Sequence, residues 1–422
     1  MIKKIKVSLE YLSQGMYVVE LDRPWLDSPF LFQGFIINSD DLLEEVKDVC
    51  EYVYVDMELS DPNIHGQLQV LAKRPVSTVQ ETSSTQETQE THRSDADEHK
   101  TYIQRLQQSR ATFDKTTQYI NQALEDVRLG NSIDTNQAKQ LVSELADQII
   151  SSSHALVWLT FLKQRDEYTA NHCINVCILA LSFGRCLEFD KQQLNDVGLG
   201  GLLHDVGKMK IPDVILNKPG KLTPDEFEIM KQHPDFGFQL LKDEKDMPLD
   251  VLDSVLHHHE RKNAHGYPDK LSGHEIPLLT QVISIVDVYD AVTSDRCYHD
   301  GLSPYEALNS IYKWAEKDFD KTLVESFIKC LGIYPIGSLI ELDNGLVGVV
   351  ISASKKARLR PMIMLILDKN KRPFKQRKIL NLANPNWKKG PHATEISKIL
   401  DPNSYGINIR QIIEDESKIY KG

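Results

Sequence analysis

The sequence predicts a multidomain chain: a small α+β amino-terminal domain, an all-α middle domain and a small β-rich carboxy-terminal appendage. Three observations predict it. Alternating runs flank one capped helix before Asp61, helical periodicity with capped turns extends from Tyr102 to Leu331, and alternation resumes around an Asn-Gly turn after Gly332. A chain of 422 residues is also too long for one ordinary core.

In the amino-terminal domain, residues 1–74, Gly15-Met-Tyr-Val-Val-Glu-Leu and Phe32-Gln-Gly-Phe-Ile-Ile read as strands. Asp40 to Val49 reads as a helix opened by an Asp cap, and Tyr52-Val-Tyr-Val-Asp56 as a closing strand. Over residues 75–100, Ser, Thr, Gln and Glu crowd out apolar side chains, which predicts a disordered linker. A helical connector follows over 101–165, with helices expected over Tyr102–Leu129 and Ser132–Gln164. It can cover the next domain or pair with a second subunit as a homodimer.

The middle domain, residues 166–333, reads as helix after helix. Asp190, Thr223-Pro-Asp-Glu and Ser303-Pro-Tyr-Glu each place a capping oxygen before a helix, the last two with Pro at its first position. In residues 334–422, Ser338-Leu-Ile-Glu-Leu, Val347-Gly-Val-Val-Ile and Pro361-Met-Ile-Met-Leu-Ile-Leu read as strands. Asn344-Gly345 joins the first two as a hairpin. The final segment, from Pro385, is mixed and is assigned no role.

Composition narrows the function classes. With 41% hydrophobic and 26% charged residues the chain has the make-up of a soluble globular protein. No apolar run reaches the roughly 18 residues that span a bilayer, and Met1-Ile-Lys-Lys-Ile-Lys leads into Ser and Glu where a signal peptide needs an apolar stretch. A cytoplasmic protein with no membrane partner is expected. The net charge of −12 repels polyanions, so no DNA or RNA polymer is expected, and a phosphate-bearing substrate must be captured locally. Six cysteines without a CxxC pair read as reduced thiols, with Cys173 and Cys177 packed in an apolar helix.

The chemistry concentrates between His172 and Asp287. His172 lies on a helix over 166–187, His204-Asp205 ends the apolar helix Gly198–Leu203, and His233 sits in Lys231-Gln-His-Pro. His258-His259 closes another helix, and Asp287 lies within the apolar Leu278–Ala291. One histidine on an apolar face is ordinarily a hydrogen-bonded core residue. Adjacent His-Asp and His-His pairs, with an acid inside Val282-Ile-Ser-Ile-Val-Asp287-Val, put several polar groups where burial is costly without a partner. A cation supplies that partner, and mixed imidazole and carboxylate ligation suits iron, manganese or zinc, with an aspartate able to bridge two ions.

The ordered set His204-Asp205-Val-Gly-Lys208, Ile211-Pro, Lys231-Gln-His233-Pro, His258-His259-Glu260-Arg261, Gly266-Tyr267-Pro268 and Asp287-Val-Tyr-Asp290 closely resembles the HD-GYP phosphodiesterases of the HD superfamily. The resemblance covers about Asp166 to Leu331. The amino-terminal Gly15-Met-Tyr-Val-Val-Glu-Leu-Asp with Trp25 resembles a domain of no settled role that often precedes HD-GYP domains. The resemblance implies an HD-type helical catalytic domain in the middle of the chain. It implies hydrolysis of a cyclic dinucleotide second messenger, cyclic di-GMP or 3',3'-cyclic GMP-AMP, to a linear dinucleotide through a metal-activated bridging water. His172, His204, Asp205, His233, His258, His259 and Asp287 become metal ligands, with Asp205 bridging. Lys208 binds the scissile phosphate, Arg296 clamps a phosphate oxygen, Tyr267 sits near the bases or the metal, and Asp290 orients a ligand or Lys208.

Departures from the family pattern refine these expectations. Tyr168 stands where some members carry a third-metal glutamate, so two divalent ions are expected, iron or manganese. Asn263-Ala-His265 replaces the usual Asp-Gly-x before Gly-Tyr-Pro. It restricts any left-handed backbone at Ala264 and offers the His265 imidazole to substrate. His299 stands where relatives often carry a lysine, near the second phosphate, and His257 reads as a neighbour of the ligands. Two other readings stand beside this one: a general nucleotide phosphohydrolase, against which Gly-Tyr-Pro argues, and a catalytically silent cyclic dinucleotide receptor signalling through its flanking domains.

Overall fold

A computed structural model describes residues 4–23, 28, 30, 34–71, 95–151, 154–162, 168–294, 301–353, 359–384, 387 and 393–418. The chain divides into two units, Met1–Thr91 and His92–Gly422.

In the first unit, strands β1 (Lys4–Ser8), β2 (Tyr17–Leu21), β3 (Phe35–Ile36) and β4 (Tyr52–Asp56) form an antiparallel sheet in the order β1-β4-β2-β3. Helix α1 (Asp40–Val49) lies between β3 and β4 in the chain and α2 (His65–Leu71) follows them. Val7, Val18, Val53 and Val55 point inward with Met16, Ile37 and Val46, which is why alternation marked the strands. The cap of α1 is Ser39, whose Oγ accepts from the Leu42 N–H at 3.2 Å, one residue before the expected Asp.

The second unit opens with α3 (Asp95–Leu129), so helix begins inside the stretch expected to be disordered; residues 75–94 of that linker lie outside the described residues. Then come α4 (Thr135–Ser151), α5 (His154–Leu159), α6 (Tyr168–Cys186) and α7 (Lys191–Leu203). A tight turn over Val206–Lys210 leads to α8 (Asp213–Leu216), α9 (Pro224–Met230), α10 (His233–Leu241) and α11 (Leu249–His257). Helices α12 (Leu278–Thr293), α13 (Pro304–Ala315) and α14 (Lys321–Leu331) complete the bundle. Asp190, Thr223 and Ser303 each cap their helix in a reciprocal box with Gln193, Glu226 and Glu306.

Helices α6 and α12 are apolar on nearly every side and lie in the middle: Ile174, Val176, Ile178, Val282, Ile283, Ile285 and Val286 are all fully buried. The connector helix α3 packs on α4, α5 and α6, covering the helical domain of its own chain. No described helix is long and apolar enough to cross a membrane.

Cys186 at the end of α6 and Cys330 on α14 form a disulfide, with Cα atoms 5.9 Å apart, against the expectation of reduced thiols throughout. The pairing joins residues 144 positions apart, a distance at which sequence shows nothing. Cys173 and Cys177 are free and buried, as packing predicts.

Beyond α14, strands β5 (Leu339–Leu342), β6 (Val347–Ser352), β7 (Met362–Leu367), β8 (Pro373–Asn381) and β9 (Ile396–Leu400) form an antiparallel sheet in the order β8-β7-β6-β5-β9. Gly345 takes φ +83° in the β5–β6 turn, the conformation that Asn-Gly favours. Strand β9 and helix α15 (Ile409–Lys418) come from the final segment, and β9 extends the sheet beside β5.

Candidate metal centre

Five elements converge on the site. Helix α6 carries His172. Helix α7 ends at Leu203 and delivers His204 and Asp205 into the tight turn that holds Lys208. Helix α10 begins at His233, α11 hands over to His258 and His259, and α12 carries Asp287 and Asp290. The turn after Asp205 presses against α10 so closely that a Cβ on Gly207 would lie 2.0 Å from the His233 carbonyl oxygen. Only glycine fits there, which explains the residue between Asp205 and Lys208.

Every ligand candidate of the sequence reading except His259 is less than 9% exposed, from His204 and His258 at 0% to Asp287 at 7%. Such burial is tolerable only if each polar atom has a partner. On one edge of the imidazoles the protein supplies it. The carbonyl oxygens of Gly201, Met230 and Val255 accept from Nδ1 of His204, His233 and His258 at 2.8, 2.8 and 2.9 Å. A carbonyl can only accept, so each neutral ring carries its proton on Nδ1 and turns the Nε2 lone pair inward.

On the inner edge partners are missing. Nε2 of His233 faces Nε2 of His258 at 3.2 Å, lone pair against lone pair. His204 Nε2 and Asp205 Oδ1 are buried with no hydrogen-bond partner. A cation bound between them converts both deficits into bonds, so the donor set fits a divalent metal.

The donors fall into two groups around Asp205, tied together by a third set, His204, Asp205 and His258, whose atoms also lie within 4.8 Å of one another. His172, His204 and Asp287 offer atoms within 4.8 Å of one another, and so do His233, His258 and His259. Asp205 turns Oδ2 toward the first, 3.3 Å from His204 Nε2 and 3.7 Å from His172 Nε2. It turns Oδ1 toward the second, 3.3 Å from His233 Nε2 and 3.8 Å from His258 Nε2.

The electrostatics of the groups differ. Burial works against protonation of His172, but Asp287 at 3.0 Å and Asp290 at 2.8 Å overcome it and raise its pKa to about 9. Burial alone would raise the carboxyl of Asp287, yet His172 and then His259 and His204 hold it well below the usual range. Burial, then the neighbouring imidazoles, keeps His258 and His259 neutral far below the ordinary histidine range. Asp205 is held low against burial by His204 and by Lys208, whose Nζ lies 2.5 Å from Oδ2.

Asp290 accepts a hydrogen bond from His172 Nδ1 at 2.8 Å, and Asn175 donates to its other carboxylate oxygen at 3.0 Å. The Tyr267 ring lies 4.8 Å from that of His259, beside the metal ligands. His265 Nδ1 bonds the carbonyl of Asn263 in its own loop at 2.8 Å, and Ala264 adopts the left-handed backbone, φ +58°, despite its Cβ. His257 faces away from the centre, linking Asp253 at 2.9 Å to Asp269 at 3.0 Å. Arg296, His299 and the side chain of Tyr168 lie outside the described residues.

Sequence reasoning missed the groups that hold the ligand-bearing turn. The Glu260 carboxylate accepts three successive backbone N–H groups, from Asp269, Lys270 and Leu271, at 2.7 to 3.0 Å. Arg261 donates to the His258 and Glu260 carbonyls and to Ser284 Oγ. A Cβ on Gly266 would lie 2.4 Å from the Glu260 Cα, so the Gly-Tyr-Pro loop packs directly on this turn. An acid and an arginine directly after the His-His pair were the available signal.

Residues 3–138 match a domain of unknown function (DUF3391), residues 144–323 the HD domain, and residues 339–405 a KOW domain associated with the HD domain. A protein of Pseudomonas aeruginosa named as a cyclic di-GMP phosphodiesterase is 35% identical over 380 residues, 89% of this chain and 88% of its own length. A cyclic di-GMP phosphodiesterase response regulator of Xanthomonas campestris is 37% identical over 34% of this chain and 38% of its own length. A phosphodiesterase of Vibrio cholerae named as specific for 3'3'-cGAMP is 28% identical over 46% of this chain and 34% of its own length.

Proposed function

The chain belongs to the HD-GYP family of metal-dependent cyclic dinucleotide phosphodiesterases, and on that premise we propose that it opens cyclic di-GMP or 3',3'-cyclic GMP-AMP to the linear dinucleotide. The observation that carries the reading is Asp205, whose two oxygens face two separate groups of buried, inward-turned donors. We assign it as the bridge between two divalent ions, iron or manganese, with His172, His204 and Asp287 on one and His233, His258 and His259 on the other. When bound, the ions would supply an ionised water near neutral pH and would neutralise charge on the phosphate.

The side chains do the rest. The water oxygen bonds to phosphorus, one P–O ester bond breaks, and the ring opens to a phosphomonoester at one end and a hydroxyl at the other. Lys208, 2.5 Å from Asp205, brings its ammonium to the phosphate oxygens as their charge grows. Asp290 fixes the ring plane of His172, and Tyr267 walls the site beside His259. No observation favours the silent receptor, since the ligand set and Lys208 stand together.

The test is to load the purified chain with iron(II) or manganese(II), supply cyclic di-GMP, cyclic di-AMP and the mixed dinucleotide separately, and follow linear product by chromatography. Conversion of either guanine-containing ring is expected. Binding of both without product from either would replace the enzyme by a receptor.

A further inference from the structure

Phe227 is an exposed aromatic that nothing in the metal chemistry uses. It lies on α9, a short polar helix capped by Thr223, and its side chain is 47% exposed, where Leu, Lys or Glu would serve solubility as well or better. Its ring does not stand alone. It meets the Tyr267 ring at 83° with centroids 6.5 Å apart, and Tyr267 lies 4.8 Å from His259 and 6.5 Å from His233. A continuous line of rings therefore leads from the metal ligands to the surface, ending in two aromatic planes at right angles. Lys231 Nζ, paired with Glu228 at 2.5 Å, stands over the Phe227 ring 5.4 Å from its centroid.

A corner of this kind has a chemical fit. A purine laid flat on one ring presents its edge to the other, and the base–aromatic contact tolerates guanine and adenine alike because both have a π face. The distances suit a substrate whose phosphate is held at the metal centre: the rings begin at the ligands themselves and run outward on one side. The alternative, that Phe227 only packs against Tyr267, leaves its exposed half without purpose. We propose that Phe227 is a substrate-binding residue, the platform on which one nucleobase of the cyclic dinucleotide stacks, with Tyr267 as the adjoining wall. The proposal rests on the phosphodiesterase reading and adds a site that reads the base rather than the phosphate.

Two measurements separate the proposal from that reading. Steady-state kinetics of the metal-loaded wild type, F227A and F227W on cyclic di-GMP is the first. F227A is expected to raise KM about tenfold, the cost of one lost stack, with kcat changing less than twofold, and F227W to restore KM. The second is fluorescence of F227W in the first seconds after mixing with cyclic di-GMP. Saturable quenching of the introduced indole, absent from F227A, reports a stacked guanine directly. Normal wild-type turnover with an unchanged KM in F227A and no quenching overturns the stack and leaves the phosphodiesterase intact. Quenching without turnover keeps the stack and overturns hydrolysis; neither signal overturns both.

Discussion

In one half of the metal centre, His172, His204 and Asp287 mix imidazole with carboxylate, and Asp290 stands behind His172. In the other, His233, His258 and His259 are imidazoles only. All of these side chains except His259 are buried, and His172, His204, His233 and His258 bring Nε2 to within 3.8 Å of Asp205, but the electrostatics of the halves differ. In the carboxylate half His172, with a pKa of about 9, forms ion pairs with Asp287 and Asp290. In the imidazole half His258 and His259 resist protonation, and Nε2 of His233 faces Nε2 of His258 at 3.2 Å.

The largest effect is expected where the halves meet. Asp205→Asn should lower turnover by about 10³-fold or more and reduce bound metal, measured by product formation and by metal analysis of the same sample. Metal loss confined to one half would show that Asp205 does not bridge.

Within a half, Asp290→Asn should cost about 10- to 100-fold in activity by releasing His172, as loss of a hydrogen-bonded partner behind a metal ligand does. Metal analysis should place that loss in the carboxylate half, and an equal loss from the imidazole half would erase the distinction.

Proton uptake sharpens the comparison further. Between pH 8 and 7 metal entering the carboxylate half must displace the His172 proton, so its apparent affinity should weaken by about tenfold per unit, while His258 and His259, held below the ordinary histidine range, add no proton to displace. The linked effect on the chelated protein has a definite sign. His172 has a pKa raised from 6.5 to about 9, so its stabilisation is complete below pH 6.5 and is lost as pH rises through 9. Titration calorimetry in buffers of different ionisation heat reads the proton, and two equal pH slopes would refute the assignment.

The smallest effect should come from Asn175→Ala, which removes the 3.0 Å hydrogen bond to Asp290 and leaves His172 in place. A loss of about 1 kcal/mol in stability, with activity within a few fold, is expected from thermal unfolding and kinetics. A loss as large as that of Asp290→Asn would mean that Asn175, not Asp290, orients the ring.

What was legible in the sequence follows from the range over which each cause acts. The candidate ligands could be singled out because His-Asp and His-His are adjacent pairs at the ends of apolar helices, where burial needs a partner. The capped helices and the Asn344-Gly345 hairpin were legible because Thr223, Ser303 and Gly345 act on their own backbone. The Cys186–Cys330 bond and the pairing of β9 with β5 were not, since both join distant segments. The start of α3 at Asp95 was missed because its first turns are as polar as the linker before them. The division of the ligands into halves was illegible too: Asp205 is one residue in sequence, and only the fold aims its two oxygens apart.

The central claim, that Asp205 joins two ions and that hydrolysis needs both, is tested most directly by titrating the metal-stripped protein with manganese(II) while following bound metal and cyclic di-GMP turnover together. Turnover that stays near background through the first equivalent per chain and rises with the second is the predicted result. Full turnover at one ion per chain would contradict it.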